Sequence, residues 1–258
     1  MTTYGISTLA VIPMRSQPSD KAEMVNQLLF GETYKILAEK GKWLLIVSDS
    51  DGYEGWIDHV QNTTISKNQW IQYLKAPKTF LSKPVTAIVR EDLPPMFLSF
   101  GSCISSEIKN IFPESGFIFP KEDRIELPDS FDADKMTAYA SLWLGSSYLW
   151  GGKSVLGVDC SGMVQLCAKL SGYQLFRDAS QQATQGEIID FLEEAKPGDL
   201  AFFDNEEGTI IHVGILLEKQ KIIHASGKVR MDNIDHHGIY NSDIQSYTHK
   251  LRFIRRLS

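Results

Sequence analysis

Three cysteines and six histidines hold most of the nucleophilic and basic chemistry open to this chain. In "GVDCSGMVQLCAKL", residues 157–170, Cys160 stands between an acid and a small hydroxyl residue, where an apolar helical pattern begins. Positions 160, 163, 164 and 167 share one helical face, with 166 and 170 beside them. Cys167 falls within that stripe, where a free cysteine behaves as a small buried apolar residue. Cys160 falls in the first turn, where unpaired N–H groups and a partial positive charge favour a thiolate nucleophile. Gly157 and Gly162 leave room for a substrate to approach.

A cysteine nucleophile needs a base that also protonates the leaving group. His59, His236, His237 and His249 lie in polar contexts, and solvated surface is the expectation for each. His212 and His224 lie instead inside two strand-like runs, "TIIHVGILL" and "KIIHASG", joined by "EKQ". If Glu218–Lys219–Gln220 is a three-residue hairpin loop, Leu217 faces Lys221, Gly214 faces His224 and Ser226 faces His212. The two imidazoles then share one sheet face as diagonal neighbours, roughly 7–8 Å apart at the backbone. A two-residue loop would put them on opposite faces. Gly214 has no side chain and leaves His224 space to lean toward His212, so that His212 acts as base and His224 as its orienter. Two other readings stay open: a pair of satisfied core histidines, and a zinc site of Cys160, His212 and His224, which lacks recognisable ligand pairs and a clear fourth ligand.

The elements that must position these groups change character along the chain. Residues 1–62 read as short strands separated by turns, the pattern of a small β-barrel. Residues 63–130 are broken by prolines, among them Pro77, Pro84, Pro94, Pro95, Pro113 and Pro120; "PVTAIVRE" and "PPMFLSFGS" read as strands that extend the barrel or form a second small one. From about 131, "FDADKMTAYASLWLG" offers a helix capped by Asp132 or Asp134 and stopped by Gly145. The Cys160 helix follows, then strands through to "HKLRFIRR", an α+β arrangement. The basic tail "LRFIRRLS" reads as a solvated edge strand.

Length allows one large domain or two smaller ones. At 43% hydrophobic and 22% charged residues the chain is neither disordered nor of low complexity. A net charge of −6 argues against a grip on nucleic acid or anionic lipid. No stretch of ~20 apolar residues occurs, and the first residues lack a basic segment followed by a long apolar one. The expectation is an intracellular protein, and three cysteines without a C-x-x-C pair fit a reducing compartment.

In chain order, "YLWGGKSVLGVDCSG", "FRDASQQ", "KPGDLAFF" and "HVGILLEKQKIIHASG" resemble the NlpC/P60 cysteine peptidases. The N-terminal "VIPMRSQPSDKAEMVNQLLFGETYKIL…GYEGWID" resembles the bacterial SH3-like domain that precedes this peptidase domain in dipeptidyl-peptidase VI-type enzymes. The resemblance implies an α+β fold with a papain-like NlpC/P60 catalytic domain at 131–258. An SH3-like β-barrel at 1–62 precedes it, and 63–130 is a connecting region with room for further SH3-like β structure. It also implies cleavage of the bond between γ-D-glutamate and an L-diamino acid in peptides released from peptidoglycan. By motif, Cys160 is the nucleophile, His212 the base, His224 the orienting third member and Tyr148 a hydroxyl assisting the oxyanion. Asp159, Ser161 and Ser180 match positions that bind the free α-amine of the substrate's L-alanine, and Glu54 of "GYEGWID" resembles a glutamate directed at the same amine. The expected partner is a murein peptide of the type L-Ala-γ-D-Glu-diamino acid, with no metal or organic cofactor, no nucleic acid and no membrane. The expected form is a cytoplasmic monomer that degrades or recycles such peptides. Two rivals remain: an amidase or acyltransferase using the same triad, and a non-catalytic binder of wall fragments.

Overall fold

The computed structural model describes residues 3–90, 93–218 and 220–258. The chain divides into two compact units. Unit 1 takes Met1–Glu126 and Trp150–Val155, and unit 2 takes Leu127–Leu149 and Leu156–Ser258.

In unit 1, seven strands between Thr3 and Ile65 form one antiparallel sheet with Met24–Leu29 and Thr63–Ile65 at its edges. Alternation drives it. Along Val11–Arg15 the buried positions are Ile12 and Met14, which pack with Leu28, Tyr34, Leu44, Ile46 and Ile57 into the barrel-like core. The segment that was least legible in sequence is also built of β structure. Val85–Arg90 pairs with Leu93–Ser99, and Lys78–Leu81 pairs with both Cys103–Ser105 and Arg124–Ile125. Helix Lys67–Lys75, closed by a Ser66/Gln69 capping box, adds Tyr73 to a second core around Phe30, Leu81, Ile88, Leu98 and Ile104. Trp150–Val155, which sequence placed in the catalytic loop, packs with this unit: the Lys153 amide donates to Gln27 Oε1 at 2.7 Å, and the buried Lys153 ammonium lies 3.6 Å from Glu32.

Unit 2 begins with helices. α1 (Ala133–Ser141) is capped by Asp132, whose carboxylate accepts from the Lys135 amide at 3.0 Å, and the chain then turns at Gly145 with φ +86°. α2 (Cys160–Leu170) and the short α3 (Ala179–Gln182) follow. Six strands come next: β1 (Leu200–Asp204), β2 (Ile210–Leu217), β3 (Lys221–Ser226), β4 (Lys228–Asp235), β5 (Gly238–Asn241) and β6 (Ser246–Arg256). Each pairs antiparallel with the next, and β6 pairs with both β5 and β1, so the sheet closes on itself. Strand parity puts Leu216, Ile222, Ile234 and Ile239 on the inner face, where they meet Ala201, Phe203 and Ile254. The opposite face of β2 and β3 is buried as well, which is why their sequences read as continuous apolar runs: α2 packs over Val213, Ile215 and their neighbours.

Two expectations need correction. The tail is a central strand: β6 lies between Glu187–Ile189 and β1, with Ile254 inside. Its arginines are anchored, Arg256 by a two-pronged bond to Asp199 and Arg255 by the carbonyls of Ala183 and Gly186. The space at Gly157 is not open either, since a Cβ there would meet Leu149 side-chain carbons at 2.7 and 2.8 Å.

Candidate active site

The β2–β3 register is Leu217 opposite Lys221, Leu216 opposite Ile222 and Ile215 opposite Ile223; just beyond that ladder, a Cβ on Gly214 would lie 3.0 Å from His224 Cβ. The connection is thus three residues long; Lys219 itself lies outside the described residues. His212 and His224 accordingly share the inner face, where His212 Nε2 and His224 Nδ1 meet at 2.9 Å. Both are buried, at 5% and 1% exposure. Gly214 creates this approach: a Cβ there would lie 2.7 Å from Ile222 Cδ1 and 3.0 Å from His224 Cβ.

The relay continues beyond the two histidines. His224 Nε2 lies 3.0 Å from Asp232 Oδ2, and Asp232 receives Arg230 Nε at 2.6 Å and Nη2 at 2.8 Å. Burial works to raise the Asp232 pKa, but the hydrogen bonds from His224 and Arg230 outweigh it and hold the carboxyl at about 2. The ionised Asp232 accepts a hydrogen bond from His224 Nε2–H. His224 Nδ1 then accepts from His212 Nε2–H, which leaves His212 Nδ1 as the free ring nitrogen. Burial, with His249 and His224 beside it, drives the His212 pKa well below 6.5, so the resting ring is neutral. Sequence reasoning missed Asp232 and Arg230. Counting outward from the turn at Gly227 would have found them, because Ser226 opposite Lys228 puts Arg230 opposite His224 and Asp232 opposite Ile222.

Cys160 opens α2 behind its N-cap, Asp159, whose carboxylate accepts from the Gly162 amide at 2.7 Å. The backbone N–H of Val213, the residue after His212, hydrogen-bonds the thiol, which ties the sulfur to the strand that carries His212. The thiolate expected from the helix N-terminus is overruled. Burial and then the Asp159 charge push the thiol up to about 12, against the opposing pull of the Val213 and Ser161 amides and of Arg177. Tyr148 is half-buried, and its hydroxyl is raised above its ordinary value by burial and by the nearby Cys160 and Asp159, so it stays a proton donor.

The residues matched to amine binding are distributed as follows. Asp159 is 6% exposed and held by a two-pronged bond from Arg177, at 3.0 and 2.6 Å; the same guanidinium donates to Ser161 Oγ at 2.8 Å. Arg177 is 1% exposed and neutralises Asp159 from within, a role unseen in the "FRDASQQ" motif although the residue stands in it. Ser180 is exposed on α3. Glu54 is exposed at the start of strand Glu54–Asp58 in unit 1.

His249 is not the solvated surface residue that its context suggested. Its ring stacks on His212 with centroids 4.1 Å apart and planes at 25°, and burial, with His224, lowers its pKa to about 4. Donor atoms of His212, His224 and His249 lie within 4.8 Å of one another, close enough to hold a metal ion. That set has His249 where the sequence reading of a zinc site had Cys160. In the relay, however, one nitrogen each of His212 and His224 is turned toward the other.

Residues 145–248 match the model of the NlpC/P60 family, and residues 14–61 match that of the bacterial dipeptidyl-peptidase Sh3 domain. A gamma-D-glutamyl-L-lysine dipeptidyl-peptidase of Bacillus subtilis is 31% identical over 77% of this chain and 71% of its own length. Dipeptidyl-peptidase 6 of Lysinibacillus sphaericus is 26% identical over 89% of this chain and 91% of its own. The crystal structure of an NlpC/P60 family protein from Bacillus cereus shares the fold, with a TM-score of 0.83 at 18% identity over 98% of this chain and 99% of that one. With a thiol at a helix start, a histidine relay on the adjoining barrel and these likenesses, the chain belongs to the NlpC/P60 family of cysteine peptidases.

Proposed function

We propose that this enzyme hydrolyses the γ-D-glutamyl–L-diamino acid bond of peptidoglycan peptides that carry a free N-terminal L-alanine. The single observation that carries the reading is the Cys160–His212 placement, with the sulfur bonded to the amide next to the base and the base oriented by His224 and Asp232. Two relatives named for γ-D-glutamyl-L-lysine dipeptidyl-peptidase activity support the substrate class.

Cys160 Sγ attacks the γ-carbonyl carbon as its proton passes to His212 Nδ1. Because the thiol rests protonated and the imidazole neutral, transfer and attack are coupled and no preformed ion pair is needed. Asp232, through His224, stabilises the imidazolium that forms. The Tyr148 hydroxyl and the Cys160 amide face the developing oxyanion. The imidazolium next protonates the departing amine as the C–N bond breaks, and water, deprotonated by His212, releases the acyl group from sulfur.

Asp159, Ser161 and Ser180 are proposed acceptors for the alanine amine. Since Arg177 already balances Asp159, the counter-charge falls to Glu54, which is carried on the motif match alone. We place the activity in the cytoplasm, in degradation or recycling of released peptides by a monomer; three free cysteines support a reducing compartment. Among the described residues no helix is long and apolar enough to cross a membrane.

The test is incubation with L-Ala-γ-D-Glu-meso-diaminopimelate and with its N-acetylated form, followed by mass spectrometry. Release of L-Ala-D-Glu from the first and little cleavage of the second is expected. Comparable cleavage of both overturns the amine-binding roles and favours the amidase or acyltransferase rival; cleavage of neither favours the non-catalytic binder.

A further inference from the structure

Beside His249, which stacks on His212, the barrel carries a groove of about 620 Å3, whose walls include Asp204, Glu206, Glu207, His249, Lys250 and Arg252. Position gives the groove its first significance. His212 protonates the leaving amine, so the departing half of the substrate must lie on the histidine side of the sulfur. The ring stacked on His212 is itself a wall of the groove.

Asp204 gives the second. Its side chain is 5% exposed, and its Oδ1 is buried with no hydrogen-bond partner among the described residues. Its other oxygen lies 3.5 Å from Nε of Arg252, a side chain that is 60% exposed. A buried carboxylate oxygen left without a hydrogen bond is destabilising, so such an oxygen is a vacant acceptor for a charged donor. The backbone holds it there. Both ladders that flank Asp204 shift register, between Phe203 and Asp204 against β2 and between Phe202 and Phe203 against β6. Bulges of this kind re-aim side chains beside active sites. Asn205 then fixes the β1–β2 turn by accepting from the amides of Glu207 and Thr209, which leaves Glu206 and Glu207 exposed at its tip.

We propose that this groove is the subsite for the leaving diamino acid, and that the distal ammonium of that residue's side chain donates to Asp204. The inference rests on the function proposed above and names the residue that sets its specificity on the departing side. Glu206 and Glu207 add negative potential at the mouth, and Lys250 offers a partner for a carboxylate. Lysine and diaminopimelate therefore both suit the groove, whereas an uncharged side chain leaves Asp204 unsatisfied.

The experiment compares L-Ala-γ-D-Glu-L-Lys with L-Ala-γ-D-Glu-L-norleucine, which keeps the four-carbon chain and lacks the ammonium, on the full chain and on Asp204→Asn. The native protein should favour the lysine peptide in kcat/KM by at least tenfold, and Asp204→Asn should bring that ratio close to one. The ratio does not depend on how much of a variant is folded. A native ratio near one overturns the proposal. So does an Asp204→Asn variant that loses both activities equally, since that is what a purely structural bond to Arg252 would give. Cleavage of neither peptide by the native protein overturns the peptidase reading, and the subsite with it.

Discussion

Replacing Gly214 with alanine tests the relay where its geometry is tightest. The new methyl would stand 2.7 and 2.8 Å from Ile222 Cδ1 and Cγ1, and 3.0 Å from His224 Cβ. Ordinary carbon contacts lie at about 3.5–4.0 Å, so His224 must retreat by roughly half an ångström and Ile222 by somewhat more. The 2.9 Å His212–His224 bond then lengthens past about 3.2 Å, where such bonds weaken. Misplacement of 1 Å costs about 100-fold in rate, so kcat/KM on the tripeptide should fall about tenfold or more, mostly in kcat. Overpacking costs roughly 1–3 kcal/mol, and replacing a strand glycine with alanine returns about 0.5–1 kcal/mol. Urea titration should therefore show a net loss of about 1–2 kcal/mol. Adding Ile222→Val removes the 2.7 Å contact but not the push on His224, so the double variant should recover stability more than activity. A Gly214→Ala protein with native kcat/KM refutes the reasoning. Recovery of activity in step with stability refutes it too, because the loss would then reflect general loosening rather than a displaced orienter.

Three further outcomes follow from the same geometry. Asp232→Asn removes the anion that fixes the His224 tautomer, and should lower kcat about 10- to 100-fold with little change in KM. Alkylation of Cys160 by iodoacetamide should be slower at pH 7 than that of free cysteine and keep rising well above pH 9, because the thiol is held near 12; a rate that saturates in the acid range contradicts this. His249 has a folded pKa near 4 against an unfolded value of 6.5, so the folded state binds protons less readily, and stability is lost as pH falls through that window. Asp232, depressed from 3.8 to about 2, removes roughly 2 kcal/mol more as pH falls from about 4 to 2. His249→Gln should flatten the first part of an acid-denaturation curve, and an unchanged curve would contradict that assignment.

The candidate site was legible because it is local and periodic. An odd hairpin loop fixes which residues of β2 and β3 share a face, and a cap residue fixes where α2 starts, so Cys160, His212 and His224 could be placed by counting. What counting left out was charge balance. Asp159 in sequence is a bare carboxylate beside a cleft; in the fold Arg177, 18 positions away, forks onto it from the interior. Asp232 needed one more hairpin of arithmetic, past Gly227. His249 and the basic tail were misjudged for one reason: a closing strand of a barrel alternates polar and apolar residues much as an exposed edge does, and only the pairing of β6 with both β1 and β5 buries it. The thiol's protonation state was misread because helix position speaks for a thiolate, whereas burial and a neighbouring carboxylate speak more strongly against one.

The central claim is that Cys160 forms the covalent bond to substrate. Acid quenching during turnover of L-Ala-γ-D-Glu-meso-diaminopimelate, followed by peptide mass mapping, reads this directly. An L-Ala-γ-D-glutamyl adduct should appear on the peptide containing Cys160 and be absent, together with all turnover, from Cys160→Ala. Undiminished cleavage by Cys160→Ala, or an adduct on any other residue, would contradict the account.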